Sequence, residues 1–387
     1  MYDSFKVKLH EATFGEEEID AAVKVLRSKN TTSGDNVKDF ESRFGPYAVL
    51  CNSGSSANLL AISALTNPAT KNRLIPGDEV IVSALSWSTT VWPLVQHGLV
   101  PVIVDIDPET LNLDMVEVMQ ALGPKTKAIM PVHVYGNACD LKSLETFKQD
   151  GIRIIEDCCE AFGSSGHESP VGSVGDMATY SFYFSHHMTM MEGGLVIAKT
   201  KELGDMLRIL RAHGWVRDLP DNSEYLKAYP DIDPRFLFVN AGYNLRVTEL
   251  QAAMGLVQLD KFPSFLLQRR KIAKRLQEVF SPYKDLMTQR ENGKSSWFGF
   301  PVVVKQNSTF TAKKLRQHLD ESGIETRSLI CGNIARQPAM KLWPHRVYGN
   351  LKHADHVMSE GFSIGCHQNM TENSIAHIEN ALRSFFS

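Results

Sequence analysis

The chain has 387 residues, 43% of them hydrophobic and 22% charged, with 41 basic and 44 acidic side chains and a formal net charge of -3. That balance excludes a basic groove for nucleic acid, and no block of like charge marks a membrane-binding surface. The length exceeds what one hydrophobic core holds, so a large domain with a smaller companion is expected.

The N-terminal stretch "MYDSFKVKLHEATFGEEEID" carries acids where a signal peptide needs an apolar run. No stretch is long enough to span a bilayer, and a cytoplasmic protein is expected. "FGEEEIDAAVKVLRSK" places Ile19, Ala22, Val23 and Leu26 at helical spacing, with acids in the first turn. From "YAVLCNSGSSANLLAISALT" to "IRIIEDCCEA", apolar runs of strand length alternate with amphipathic segments. This pattern belongs to an α/β fold whose mostly parallel sheet is covered on both faces.

"GWVRDLPDNSEYLKAYPDIDPRFLFVNAGYN" is irregular, and a connection of that length in a compact domain is functional or interfacial. A long helical stretch from "NLRVTELQ" to "VFSP" follows. It leads into "WFGFPVVVK", "TAKKLRQHLDESG" and "SIAHIENALRSFF", which read as a small α+β domain. With the boundary near residue 260, the large domain covers 1–260 and the small C-terminal domain 261–387. The six cysteines form no CxxC pair, and adjacent Cys158 and Cys159 point to opposite faces of a strand. They read as buried thiols, and no metal site is expected.

Four stretches could carry chemistry. "NSGSSANLLA" sits at a strand-to-helix junction, where small residues and free N–H groups suit either an anion or an ordinary serine cap. In "SALSWSTTVWP", Trp87 ends an apolar strand and could stack on a planar ring or fill a core. In "RIIEDCCEAFGS", Asp157 ends a buried strand, where a carboxylate needs a cation, from a bound heterocycle or from an arginine. The fourth, "SFYFSHHMTMMEGG", holds His186 and His187 in a turn rich in Ser, Thr and Met.

Taken in order, "GSSANL", "SWSTT", "EDCCEAFG", "SFYFSHH…EGG" and "GYNLRVTELQAA" resemble the sugar aminotransferase family called DegT/DnrJ/EryC1/StrS. The resemblance runs from "GEEEIDAAVKVLRS" to the C-terminal helix. It implies a fold-type I, aspartate aminotransferase-like enzyme that uses pyridoxal phosphate (PLP) or pyridoxamine phosphate (PMP). It also implies a homodimer with the active site at the subunit interface. Carried over by position, Ser55 and Ser56 with the backbone of the Gly54 turn would bind the cofactor phosphate, and Ser181 would add a hydroxyl. Trp87 would stack on the ring and Asp157 would pair with its nitrogen. Glu160 stands where the family usually has glutamine beside the ring hydroxyl. Asn244 would reach the phosphate from the other subunit.

One departure changes the expected reaction. Counting the SxxxxK spacing from Ser181, the family's Schiff-base lysine is His186, and no lysine occurs between Lys148 and Lys199. Imidazole forms no stable imine, but it exchanges protons near neutrality. A histidine here resembles the 3-dehydratase branch of the family. That branch removes the 3-hydroxyl of a nucleotide-linked 4-keto-6-deoxyhexose, releases ammonia and regenerates the amine from a donor, here expected to be glutamate. The product belongs to deoxysugar, lipopolysaccharide O-antigen biosynthesis. In this resemblance His186 is the catalytic imidazole, with Ser185 before it and His213 in "RAHGW" as a second one. "TRSLICGNIARQP" is closer to a CDP-sugar branch that adds a [2Fe–2S] cluster, but residues 201–244 lack the cysteines such a cluster needs. An aminotransferase, or a pseudoenzyme that only binds sugar, is the remaining alternative.

Overall fold

The alternation of apolar and amphipathic segments becomes alternating strands and helices in the computed structural model, which describes residues 5–387. Helices α1 (Glu16–Ser28) and α2 (Asp35–Ser42) come first. Then follow β1 (Ala48–Cys51), α3 (Gly54–Thr66), β2 (Glu79–Ser83), α4 (Ser88–Gln96), β3 (Val100–Val104) and α5 (Met115–Ala121). β4 (Thr126–Met130), α6 (Leu141–Gln149) and β5 (Arg153–Asp157) continue the series. The hairpin β6 (Ser165–Gly166) and β7 (Ser169–Pro170) precedes β8 (Met177–Ser181) and β9 (Gly194–Ala198). After α7 (Lys201–Arg211) and α8 (Ser223–Ala228), the long α9 (Glu249–Phe280) leads to β10 (Leu286–Thr288) and β11 (Phe300–Val304). The chain ends with α10 (Ala312–Glu321), β12 (Arg327–Ser328), β13 (Arg346–Val347), α11 (Lys352–Glu360), β14 (Gly361–Ile364) and α12 (Glu372–Phe386).

Eight strands form the large sheet in the order β1-β9-β8-β5-β4-β2-β3-β13. The run from β8 to β13 is parallel, and β9 alone runs against its neighbours. Alternate residues serve opposite faces, as the pleat requires. Val80, Val82, Ile103, Met130 and Ile155 enter one core, whereas Ile81, Val102, Val104, Ile129 and Ile154 enter another. This is the doubly covered α/β sheet that the sequence pattern implies. Cys51 and Ser181 both pair with Gly194, so the end of β8 and the start of α3 meet at one edge of the strands' ends.

The antiparallel sheet β10-β11-β14-β12 builds the smaller unit. The expected boundary at residue 260 lies inside α9, which places Ala252 in the core beside β1 and Ile272 and Leu276 in that of the small sheet. Two other segments cross the division: Val7 pairs with Ile324 in the small unit, and β13 adds to the large sheet beside β3. Among the described residues no helix is long and apolar enough to cross a membrane.

The first residue of α9 ties the N-terminal layer down. Glu249, 1% exposed, accepts hydrogen bonds from the backbone N–H groups of Gly34 (2.8 Å), Asn36 (2.9 Å) and Val37 (3.1 Å), and from Asn36 Nδ2 (2.8 Å). A carboxylate thereby caps α2, a helix whose own N-cap, Gly34, has no side chain to do so. Glu249→Ala strands those buried donors and is expected to cost about 3 kcal/mol, read as a lowered midpoint of chemical denaturation.

Candidate active site

Asp157 ends β5 at the carboxyl edge of the sheet and is 3% exposed. Its Oδ2 accepts from Asn58 Nδ2 (2.9 Å) and Thr90 Oγ1 (2.8 Å), and its Oδ1 from the Cys159 backbone N–H (3.1 Å). Thr179 Oγ1 donates to Asn58 Oδ1 (2.6 Å), which turns the amide's NH₂ toward the carboxylate. Among the described residues no arginine or lysine pairs with Asp157, so its partners are neutral donors and not the structural arginine that was the alternative. A buried carboxylate left short of positive charge suits a protonated heterocyclic nitrogen.

The anion cradle lies beside it. Ser53 caps α3 by accepting from Ser56 N–H (3.1 Å), and its hydroxyl donates to Ser56 Oγ (3.0 Å). Gly54 and Ser55 have no N–H partner within the helix, at its positive end. Ser55 Oγ lies 3.0 Å from Thr89 Oγ1. A Cβ on Gly54 would lie 2.6 Å from Ser181 Cβ and 3.1 Å from Cys159 Sγ, so glycine alone permits this approach of helix to strand. These are donors of the kind a phosphate would need.

Trp87 precedes α4 and is 46% exposed, so it is not a core tryptophan. Its neighbours Thr89 and Thr90 bond Ser55 and Asp157, so the exposed Trp87 immediately precedes, in the chain, residues that hold the site. Glu160 turns away from β5 and accepts from the Tyr135 N–H (3.0 Å). Burial pushes its carboxyl up to about 7; the Tyr135 N–H bond opposes this, the Asp157 charge adds to it, and Arg327 opposes it.

His186 occupies the turn after β8, half-buried, with its backbone N–H donating to Tyr183 O (3.0 Å). Its ring lies 4.9 Å from that of Phe298, and among the described residues its buried Nδ1 has no partner. Burial, then the charges of Arg269 and His10, push the imidazole down to about 3. His187 is 1% exposed, 5.7 Å from the same Phe298 ring, and among the described residues makes no hydrogen bond through either nitrogen. Burial holds it well below the usual histidine range.

Two expected site residues stand apart from this group. His213, in a left-handed backbone (φ 60°), packs edge-on against Trp215 (4.8 Å), with Arg246 Nη2 at 3.4 Å from its Nε2. Asn244 is exposed and accepts from Arg246 Nε (3.1 Å). Neither touches the His186 ring within one chain. Conversely, Asn58, Thr90 and Phe298 belong to the site, though none was singled out from the sequence. Asn58 was discoverable: it is a polar residue on the otherwise buried face of α3.

A carboxylate lacking a cation and an anion cradle at the same sheet edge define the class: aminotransferase-fold proteins built for pyridoxal phosphate. More narrowly, the chain belongs to the DegT/DnrJ/EryC1/StrS aminotransferase family, whose pattern matches residues 12–383. It is 39% identical to the GDP-4-keto-6-deoxy-D-mannose 3-dehydratase of Yersinia pseudotuberculosis, over 97% of this chain and 98% of that one. It is 36% identical to the dTDP-4-dehydro-2,6-dideoxy-D-glucose 3-dehydratase of Saccharopolyspora spinosa, over 97% of this chain and 85% of that one. Among solved structures, GDP-4-keto-6-deoxymannose-3-dehydratase with a trapped PLP-glutamate geminal diamine superposes with a TM-score of 0.91 at 35% identity, covering 97% of this chain and 100% of that one. A variant of that enzyme with an adjacent serine and histidine replaced by asparagine and lysine superposes with a TM-score of 0.90 at 36% identity, covering 96% and 100%.

Gly54→Ala fills the cradle and should weaken PLP binding by at least about tenfold, measured by absorbance titration. Glu160 carries its proton more tightly in the folded chain than in the unfolded one. Its contribution to stability is therefore complete below the ordinary value of 4.5 and is lost as pH rises through about 7. Glu160→Gln should remove that component from the pH dependence of the melting temperature.

Proposed function

We propose that this chain is a PMP/PLP-dependent 3-dehydratase. It removes the 3-hydroxyl of a nucleotide-linked 4-keto-6-deoxyhexose and yields a 3,6-dideoxy-4-ketosugar. Glutamate leaves as 2-oxoglutarate, its nitrogen as ammonia, and its two electrons replace the C3 oxygen's bond by a C–H bond. The observation that carries this reading is His186 at the lysine position, in a stretch without lysine from 149 to 198. The adjacent serine and histidine altered in the related dehydratase have one counterpart by sequence here, because Ser185–His186 is this chain's single Ser-His dipeptide.

In its amine form the bound cofactor supplies a nitrogen that condenses with a ketone and a ring that stores an electron pair. Asp157 would keep the ring nitrogen protonated, the Gly54 turn with Ser55, Ser56 and Ser181 would hold the phosphate, Trp87 would stack on the ring, and Glu160 would lie beside its hydroxyl. His186 moves the proton. Its neutral nitrogen accepts one from carbon at the reacting end and passes it to the departing C3 hydroxyl. Held down by burial and by Arg269, the half-buried imidazole is a strong acid once protonated, which suits expulsion of hydroxide. Without a lysine amine to displace the product, water completes release.

A second copy of the chain completes the site and brings Asn244 to the phosphate, with His213 as a further imidazole beside it. The exposed aromatic residues Trp87, Tyr183, Phe184, Phe236 and Phe238 support such an interface. Six unpaired thiols support a cytoplasmic location. The nucleotide stays at the level of its class, since the similar dehydratases act on sugars linked to different bases.

Incubation with glutamate and a GDP-, CDP- or dTDP-4-keto-6-deoxyhexose should release ammonia and a 3-deoxy ketosugar, followed by mass spectrometry. A 4-amino sugar as the product would instead make the chain an aminotransferase. His186→Asn should lower turnover by about 10²–10⁴-fold. Borohydride should trap cofactor on a His186→Lys variant and not on the wild type.

A further inference from the structure

Arg269 is the most deeply buried arginine among the described residues, 2% exposed, and among the described residues no carboxylate pairs with it. From α9, its Nη1 donates to the carbonyls of Trp297 (3.0 Å), Phe298 (3.4 Å) and Cys366 (2.7 Å), and its Nε to Gln368 Oε1 (3.1 Å). It thus joins the chain entering β11 to the chain leaving β14. Trp297 adopts a left-handed backbone (φ 51°), a conformation a tryptophan takes only when its surroundings impose it. The next residue, Phe298, is the ledge against which both His186 and His187 rest.

A buried guanidinium satisfied by carbonyls alone keeps its positive charge but has no counter-charge to cancel its field. Four imidazoles feel that field: His10 from the N-terminal segment, His186 and His187 from the turn after β8, and His367 after β14. The other charged or titratable groups facing this cluster are the Cys366 thiol beside Arg269, and Glu11, Glu325 and Arg327 beside His10. Neither acid acts on His186, whose charged neighbours are Arg269 and His10.

We propose that Arg269 is a positioning residue for His186: its hydrogen bonds to the Trp297 and Phe298 carbonyls fix the ledge on which the imidazole rests. The inference rests on His186 as the proton carrier. Arg269 touches neither cofactor nor sugar and works through the ledge and the field. Burial is the larger influence on the imidazole and Arg269 the next, and both keep it free to accept a proton. A carboxylate partner for Arg269 would cancel the field, which gives its absence a function.

The test titrates the ring signals of histidine-labelled protein by NMR without substrate, with His186→Asn assigning the resonance. In the wild type His186 should stay neutral down to about pH 5. In Arg269→Gln it should titrate at least about one pH unit higher than in the wild type, and the acid limb of kcat/KM should move up with it. Arg269→Lys keeps the charge and should keep the low titration while lowering kcat, because ammonium cannot span three carbonyls. Identical titration of His186 in wild type and Arg269→Gln overturns the proposal. Should Arg269→Gln fail to fold, the wild type decides alone: a His186 that titrates near the ordinary 6.5 overturns it. Full dehydration by His186→Asn would sink the proton-carrier reading instead, and leaves the titration comparison to judge Arg269 by itself.

Discussion

Three elements meet at one carboxylate. Asp157 at the end of β5 is held by Asn58 from α3 and by Thr90 from α4, so the strand and the two helices that frame the site share a single buried negative charge. Burying that charge among neutral donors is costly. The fold tolerates the cost because the donors come from rigid elements: Asn58 is locked by Thr179 of β8, and the Thr90 hydroxyl projects from the first turn of α4. Position and electrostatics follow from the same bonds. The anion cradle at the start of α3 is fixed relative to Asp157 because Asn58 lies one turn further along the same helix, and Trp87 is fixed because Thr90 lies in the turn it opens.

The large sheet and the small unit bring opposite electrostatic demands from distant parts of the chain. Below the sheet edge, Asp157 and Glu160 concentrate negative charge, and burial with their mutual repulsion leaves Glu160 reluctant to ionise. On the side of the small unit, Arg269 contributes positive charge without a carboxylate, and the neighbouring imidazoles stay neutral. The interface between the large sheet and the small unit is therefore electrostatic as well as mechanical. Tyr135 illustrates the coupling: its N–H holds Glu160 while its hydroxyl donates to Ser363 of β14 (3.0 Å).

The sheet and the cradle were legible in the sequence because their signals are local. Strand-length apolar runs, the small residues of "NSGSSANL" and the aspartate closing "RIIED" each express a periodicity or a spacing within one element. The boundary at 260 was less legible, since a helix that passes from one core into another shows no break in its pattern. Arg269 was illegible for the same reason. In "LQRRKIAKRL" it looks like its neighbours Arg270 and Lys271, yet it is buried and Arg270 is not. Phe298 joins the site across a long stretch of chain that no local pattern spans.

By itself the sequence determined the kind of sheet, and through its family resemblance it pointed to residues proposed to meet a phosphate and a ring nitrogen and to His186 at the family's lysine position. The first is a matter of residue type and short spacing. Only the tertiary structure decided the protonation of that histidine, because a pKa depends on burial and on charges brought near by distant segments. It also separated His213 from His186 within one chain, and it disclosed Arg269 and the Phe298 ledge, whose roles exist only where α9, the turn after β8 and the strands of the small sheet converge.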